Sequence, residues 1–331
     1  MKILFVWTGV TSYMADCWRA LKARPGVELK LVVERVASGR GFDAAEVFRG
    51  LEVTLVETGE APSLGDYRPD VLFAVGWHSR VVRDCVCRAD WAAVPKVCCM
   101  DMPWRWQPRC LAARFVLAPY LRRFRAMLVP GRAAARYARY LGFAAERMAT
   151  GLYALDTARF AAARAAAPKA GFLYLGRFSP EKRLEVLMAA YRRYRAAGGT
   201  WQLDLYGEGE TVPAAEPGVR VHPLAQPAEV PAILGAARCL VLASAFDPWP
   251  LVVLEAAASA RAVILTTSCG NAAELVRANG CVVPTGDAAA MAAAMAAAER
   301  GEFEGEEGPA LAAPYDADNW ARRMVELCEE L

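Results

Sequence analysis

Two carboxylates, Asp247 and Glu255, stand eight positions apart in residues 243–255, the run Ala-Ser-Ala-Phe-Asp-Pro-Trp-Pro-Leu-Val-Val-Leu-Glu. A strand-like run at 239–242 precedes them. The loop carrying Asp247 is therefore expected at the carboxyl end of a strand, where open α/β sheets bind ligands. Glu255 falls in residues 251–258, which are otherwise uncharged. A carboxylate is costly to bury there unless something hydrogen-bonds to it. A sugar or ribose with two adjacent hydroxyls is a suitable partner. For Asp247 a helix cap before Pro248 is the competing role.

A second constellation lies at 171–182, Gly-Phe-Leu-Tyr-Leu-Gly-Arg-Phe-Ser-Pro-Glu-Lys. It reads as a strand, a turn and a helix start. Ser179 suits the N-cap and Pro180 the first helical position; Gly198-Gly199 ends the helix. Leu184, Leu187, Met188 and Tyr191 form its apolar stripe. Arg177 is then in the turn and Lys182 in the first helical turn, where the helix dipole disfavours cations. Two cations beside free backbone N–H groups make an anion site, suited to a diphosphate. The chain has only six lysines, so Lys182 is not one of a general coat. Pairing of Lys182 with Glu181 or Glu185 on the surface is the alternative.

These residues need elements to hold them, and 331 residues, 56% hydrophobic, provide for two domains rather than one. No apolar run reaches the length of a membrane-spanning helix. The first seven residues are too short for a signal peptide and read as a buried strand. Ten cysteines include the adjacent Cys98 and Cys99 and the close pair Cys85 and Cys87, with only two His in the chain. Buried free thiols in a reducing cytoplasm are expected. Residues 1–167 carry 25 Lys and Arg against 15 Asp and Glu, a net of +10; residues 168–331 carry 14 against 21, a net of −7. Such a split fits two domains with different partners.

Apolar runs at 3–7, 27–33, 53–56, 71–75 and 94–99 predict strands, with a helix over 11–23. Short apolar strands alternating with helices point to a parallel sheet covered on both faces. Residues 112–141 read as helical with a break near Pro130-Gly131, and 151–170 as the passage between domains. The alternation restarts with a strand at 171–175, a helix over 180–197 and a strand at 201–206. Further strands are expected at 239–242, 263–266 and 281–283. Residues 288–300 are alanine-rich and helical. Residues 301–308 read as an acidic exposed loop, and 319–331 as an amphipathic terminal helix.

Taken together, the motifs resemble a family. Gly176-Arg177-Phe-Ser-Pro-Glu-Lys182 resembles the Gly-Arg-x-x-x-Glu-Lys element of retaining GT-B glycosyltransferases of family GT4, and Asp247 to Glu255 their Glu-x7-Glu element. Residues 205–209, 221–224, 269–276 and 283–287 match further pieces in the family's order. The resemblance covers roughly 170–290. It implies an α/β GT-B fold: two Rossmann-like, doubly wound parallel-sheet domains facing a central cleft. The expected division is 1–155 for the acceptor-side domain and 156–314 for the nucleotide-sugar domain, with 315–331 a helix crossing back to the first.

The resemblance also implies roles. Arg177 and Lys182 hold the donor diphosphate, Glu255 takes the ribose hydroxyls, and Asp247 contacts the transferred sugar. Trp249, Pro250, Leu251 and Val252 line the sugar and phosphate pocket, and Leu224 lies near the base. Gly207 and Glu274 join the donor-binding set, with an exposed first-turn Glu the alternative for Glu274. Gly9 lets the N-terminal backbone approach the phosphates. The implied activity is retaining transfer of a hexose from a UDP- or GDP-linked sugar to a cell-surface glycan or lipid-linked acceptor, with no cofactor and no bound metal.

Three departures stand out. The family's leading Glu is Asp247 here, and its usual Gly is Pro250. Where many members carry a His after a late N-terminal strand, this chain reads Cys98-Cys99-Met100-Asp101. Asp101 is a candidate acceptor contact or a turn-forming Asp; His78 is a second candidate or an ordinary loop His. Residues 101–147 hold ten arginines, no lysine and two acids, with aromatics interleaved. Over 104–139 such a surface fits peripheral contact with an anionic membrane at the inner face of the plasma membrane, or a solvated helix whose aromatics belong to the core. No motif supports nucleic acid. A sugar-nucleotide-binding protein without catalysis and a GT-B epimerase are the alternatives. A dehydrogenase is disfavoured because position 212 is Val where the third glycine of a dinucleotide fingerprint belongs.

Overall fold

The computed structural model describes residues 1–36 and 43–331. They form two units, Met1–Leu155 with Tyr315–Leu331, and Asp156–Pro314. In the first, seven short apolar runs pair as strands: Lys2–Thr8 (β1), Glu28–Arg35 (β2), Val53–Glu57 (β3), Val71–Val75 (β4), Lys96–Cys99 (β5), Ala126–Val129 (β6) and Met148–Thr150 (β7). All neighbours are parallel, in the order β3-β2-β1-β4-β5-β6-β7. In the second unit Gly171–Leu175 (β8), Gln202–Tyr206 (β9), Val219–His222 (β10), Cys239–Leu242 (β11), Ala262–Thr266 (β12) and Gly280–Val283 (β13) pair, again parallel, as β10-β9-β8-β11-β12-β13. In each sheet the order in which successive strands are added reverses beside the first strand, between β1 and β4 and between β8 and β11. Those switch points open at the carboxyl ends of the strands.

Central strands carry continuous apolar sequence because helices cover both sheet faces. Ile3 to Val6 are fully buried, and Phe5 stacks on Phe73 across β1 and β4 at 4.5 Å. The terminal helix Ala317–Glu329 belongs to this first unit and packs on the helix Ser12–Lys22. Trp320 is fully buried; its indole Nε1 donates to the Leu152 carbonyl at 3.0 Å. Asp316 caps the helix by accepting from the Asp318 amide at 2.9 Å. All ten cysteines are free thiols and eight are buried; burial pushes Cys98 up to about 12.

Three local expectations are corrected. Residues 112–141 are not continuously helical: β6 lies within them, buried at every position and therefore lacking the alternation that marks a half-exposed strand. The helix expected over 180–197 starts at Leu184, after a single 3-10 turn at Pro180–Lys182 and a left-handed Arg183 at φ 53°. The acidic loop 301–308 is anchored by two buried glycines, Gly305 and Gly308.

On the edge of the second sheet Arg220 grips Asp204 through Nε and Nη2 at 2.7 and 2.6 Å, and His222 Nε2 lies 2.8 Å from the same carboxylate. Burial works to raise the Asp204 pKa, but these two partners hold it below the usual carboxylate value. A depressed folded value means the stabilisation is present above the unfolded pKa of about 4 and is lost as pH falls through the folded one. Asp204→Asn is expected to cost about 1 kcal/mol at neutral pH and to show a smaller loss below pH ~4 than the wild type. Urea unfolding at the two pH values checks this.

Candidate functional site

The turn after β8 is built by backbone ties rather than by a helix cap. The Gly176 amide donates to Tyr206 O at 3.0 Å and the Phe178 amide to Glu208 O at 2.7 Å, pinning the turn to the segment after β9. Gly207 is required there, since a Cβ would sit 2.0 Å from the Gly176 carbonyl. Tyr174 donates its hydroxyl to Arg177 O at 2.6 Å. Burial raises the Tyr174 pKa, and the neighbouring Asp247 and Glu181 charges add to it, so this hydroxyl stays a donor.

The two cations of the turn differ in setting. Arg177 is exposed and reaches Glu181 at 3.3 Å. Glu181 also accepts from Ser179 Oγ at 2.7 Å. Burial works against its charge, but Ser179, its own backbone amide and Arg177 hold it below the usual carboxylate range. Lys182 meets Asp247, Nζ to Oδ2 2.5 Å, with side chains only 16% and 12% exposed. Sequence spacing had placed Lys182 against Glu181 or Glu185 in one alternative; its ion-pair partner is 65 positions away.

Asp247 is held from both sides of its peptide. Its amide donates to Ser268 O at 3.2 Å and its carbonyl accepts from the Gly270 amide at 2.8 Å. Gly270 admits no side chain, because a Cβ would lie 1.9 Å from the Pro248 carbonyl. The Ala245 amide donates to Glu181 O at 2.8 Å, joining the Asp247 loop to the Arg177 turn. Asp247 does not cap the following helix Leu251–Ala258, whose cap position is Pro250. Two supports escaped the sequence reading. Asn271, fully buried, donates Nδ2 to Pro250 O at 2.9 Å, and Thr266 donates Oγ1 to Ser244 O at 2.5 Å. The one amide side chain in Cys269-Gly270-Asn271-Ala272-Ala273 was the available signal.

The remaining second-unit candidates share one sheet end. Arg177 follows β8, Gly207 follows β9, Leu224 follows β10, Asp247 follows β11 and Glu274 follows β12. These five strands are neighbours in the sheet, so their carboxyl ends form one rim. Trp249 and Pro250 are buried on it; Leu251, Val252, Glu255, Leu224 and Glu274 are half-buried. The rim thus combines one exposed cation, one paired cation and two acids on the β11 connection. In the first unit Gly9 follows β1 with φ 81°, and its amide donates to Glu34 O at 2.9 Å. His78 is exposed after β4. Asp101, half-buried after β5, accepts from the Tyr153 hydroxyl at 2.9 Å. A cavity of about 480 Å³ lined by Lys2, Glu28, Arg68 and Asp70 sits at the amino ends of β1, β2 and β4, the end at which such sheets do not bind ligands.

Comparison with known proteins bears on the same half of the chain. Residues 169–300 match the family model of glycosyl transferases group 1. No curated protein matches the sequence. Among solved structures, the Anabaena protein HepE in complex with UDP and glucose is similar over 100% of both chains, with 17% identity and a TM-score of 0.74. The apo lipopolysaccharide outer core galactosyltransferase WaaB is similar over 100% of both, with 15% identity and a TM-score of 0.73. Sucrose-phosphate synthase from Thermosynechococcus elongatus is similar over 100% of this chain and 98% of its own, with 17% identity and a TM-score of 0.75. The fold is that of the GT-B group, with its two parallel sheets.

Proposed function

We propose that this chain, a group 1 glycosyltransferase by its match over residues 169–300, moves a hexose from a nucleotide diphosphate sugar to a surface-glycan or lipid-linked acceptor, with retention at the anomeric carbon. The observation that carries this is the Lys182–Asp247 pair beside Arg177 on the β8 and β11 rim. Bond cleavage leaves an oxocarbenium-like sugar and a growing negative charge on the departing diphosphate. Fixed cations aimed at that charge lower the barrier without reorganising. Arg177 and Lys182 are those cations. Asp247 takes sugar hydroxyls near the reacting carbon, Glu255 takes the ribose hydroxyls, and the backbone at 249–252 lines the sugar. HepE, solved with UDP and glucose, is a GT-B neighbour whose ligands are of this class.

In this reading Asp247 occupies Lys182 until a diphosphate arrives. Binding then exchanges one anion for another and frees the carboxylate for the sugar. The consequence is a split effect. Asp247→Asn removes the competing anion, so UDP or GDP alone is expected to bind about fivefold tighter, while sugar transfer falls about 100-fold. Calorimetry with each nucleotide and an assay of nucleotide release from the sugar nucleotide measure both. No binding of either nucleotide to the wild type would refute the function. Binding to the wild type with unchanged or weaker binding to the variant would refute the exchange alone.

A further inference from the structure

The three most exposed large apolar side chains among the described residues are Trp106, Phe115 and Val116, at 85%, 75% and 72%. They lie within eleven residues of one another, and Leu111, 41% exposed, lies between them. Three of these four sit on the helix Pro108–Val116. With about 100° per residue, Leu111, Pro108, Phe115, Ala112 and Val116 cover a continuous arc of about 140°. All five are exposed. Arg114 borders this arc on one side and Arg109 on the other, and both are exposed.

The opposite face is committed. Cys110 is buried, and Ala113 and Leu117 pack against the core of the first unit. The Tyr140 hydroxyl donates to Leu111 O at 2.7 Å. Trp104 lies 4.4 Å from the Tyr140 ring and 5.7 Å from both Tyr137 and Trp106. The helix is therefore fixed on the body with its apolar arc turned outward. Exposed apolar surface of this kind, bordered by polar groups, marks an interaction site.

We propose that this face, the outer arc of Pro108–Val116 with Trp106, docks on the surface of an anionic lipid bilayer. Charge selects the occupant. No acid occurs between Asp101 and Glu146, while nine arginines do. A second copy meeting this face by two-fold symmetry sets arginine against arginine with no carboxylate to relieve it. A nucleic acid satisfies the arginines but leaves Leu111 and Val116 in water. A bilayer satisfies both: Phe115, Val116, Leu111 and Trp106 enter the headgroup–acyl boundary, and Arg109 and Arg114 reach anionic headgroups from its two edges. The surface is independent of the donor chemistry.

Co-sedimentation of the full chain with vesicles of mixed phosphatidylcholine and phosphatidylglycerol, against vesicles of phosphatidylcholine alone, tests it. The expected result is binding to the mixed vesicles that weakens with salt, and little to the neutral ones. Arg109→Gln with Arg114→Gln should lower the partition about 25-fold, at about fivefold per charge. Trp106→Ser with Phe115→Ser should lower it at least about tenfold. Unchanged circular dichroism confirms that these exposed substitutions leave the fold alone. Equal binding to neutral vesicles, no binding to either, or wild-type partition by both double variants would overturn the proposal. So would displacement from the vesicles by single-stranded RNA, or a solution dimer abolished by Phe115→Ser.

Discussion

Lys182→Met is expected to lower the rate of sugar transfer by about 10²–10³-fold, the usual effect of removing one preorganised donor from a developing anion. Methionine keeps the length of the stem, so the loss reports the ammonium. The same change leaves Asp247 without its cation at a site where the carboxylate is 12% exposed. An uncompensated, largely buried carboxylate costs about 3 kcal/mol, so the variant should also unfold at lower urea. The two effects separate in the double variant Lys182→Met/Asp247→Asn. Removing both charges should recover most of the stability and none of the turnover. Urea unfolding and a nucleotide-release assay on the wild type, the two single variants and the double variant complete the cycle. Recovery of turnover along with stability would make the pair structural and take Lys182 out of the chemistry.

The largest stability effect is expected at Trp320. Its ring is fully buried, 6.0 Å from Phe5, and its indole N–H is satisfied by Leu152 O. Trp320→Ala removes the ring from a packed site and strands that carbonyl, at a cost of about 3–5 kcal/mol. Trp320→Phe keeps the ring contact and loses the hydrogen bond, at about 1 kcal/mol. Both changes act in the unit formed by Met1–Leu155 with Tyr315–Leu331. Denaturant unfolding should therefore show the first unit's transition moving to lower concentration, with that of Asp156–Pro314 unmoved. The nucleotide binding proposed for the second unit serves as its independent probe.

The parts of this fold that sequence reveals are those where one residue type answers to one environment. Runs such as Lys2–Thr8 and Cys239–Leu242 are apolar because they are covered on both faces, and they read as strands. Ala126–Val129 is covered in the same way, yet four residues set among arginine-rich helices carry too little signal to separate strand from helix. Arg183 shows a different limit. Its left-handed backbone costs an ordinary residue energy, so nothing in its type announces that the helix restarts at Leu184. Both members of the Lys182–Asp247 pair stood out from composition and spacing. Their meeting did not, because the tie that aligns the two loops runs from the Ala245 amide to the Glu181 carbonyl. Backbone groups occur at every position and leave no mark in the sequence. The exposed arc of Pro108–Val116 is a fourth case: aromatics and arginines are countable, but which of them face water depends on what Cys110 and Ala113 pack against.

The central claim is that a nucleotide diphosphate seats on the β8 and β11 rim through Arg177 and Lys182. Isothermal calorimetry of UDP and GDP against the wild type and against Arg177→Ala/Lys182→Ala measures this directly. Saturable binding of at least one nucleotide to the wild type is expected, with a loss of about 100-fold or more in the double variant. Equal affinity of both proteins for the nucleotide that binds would contradict it.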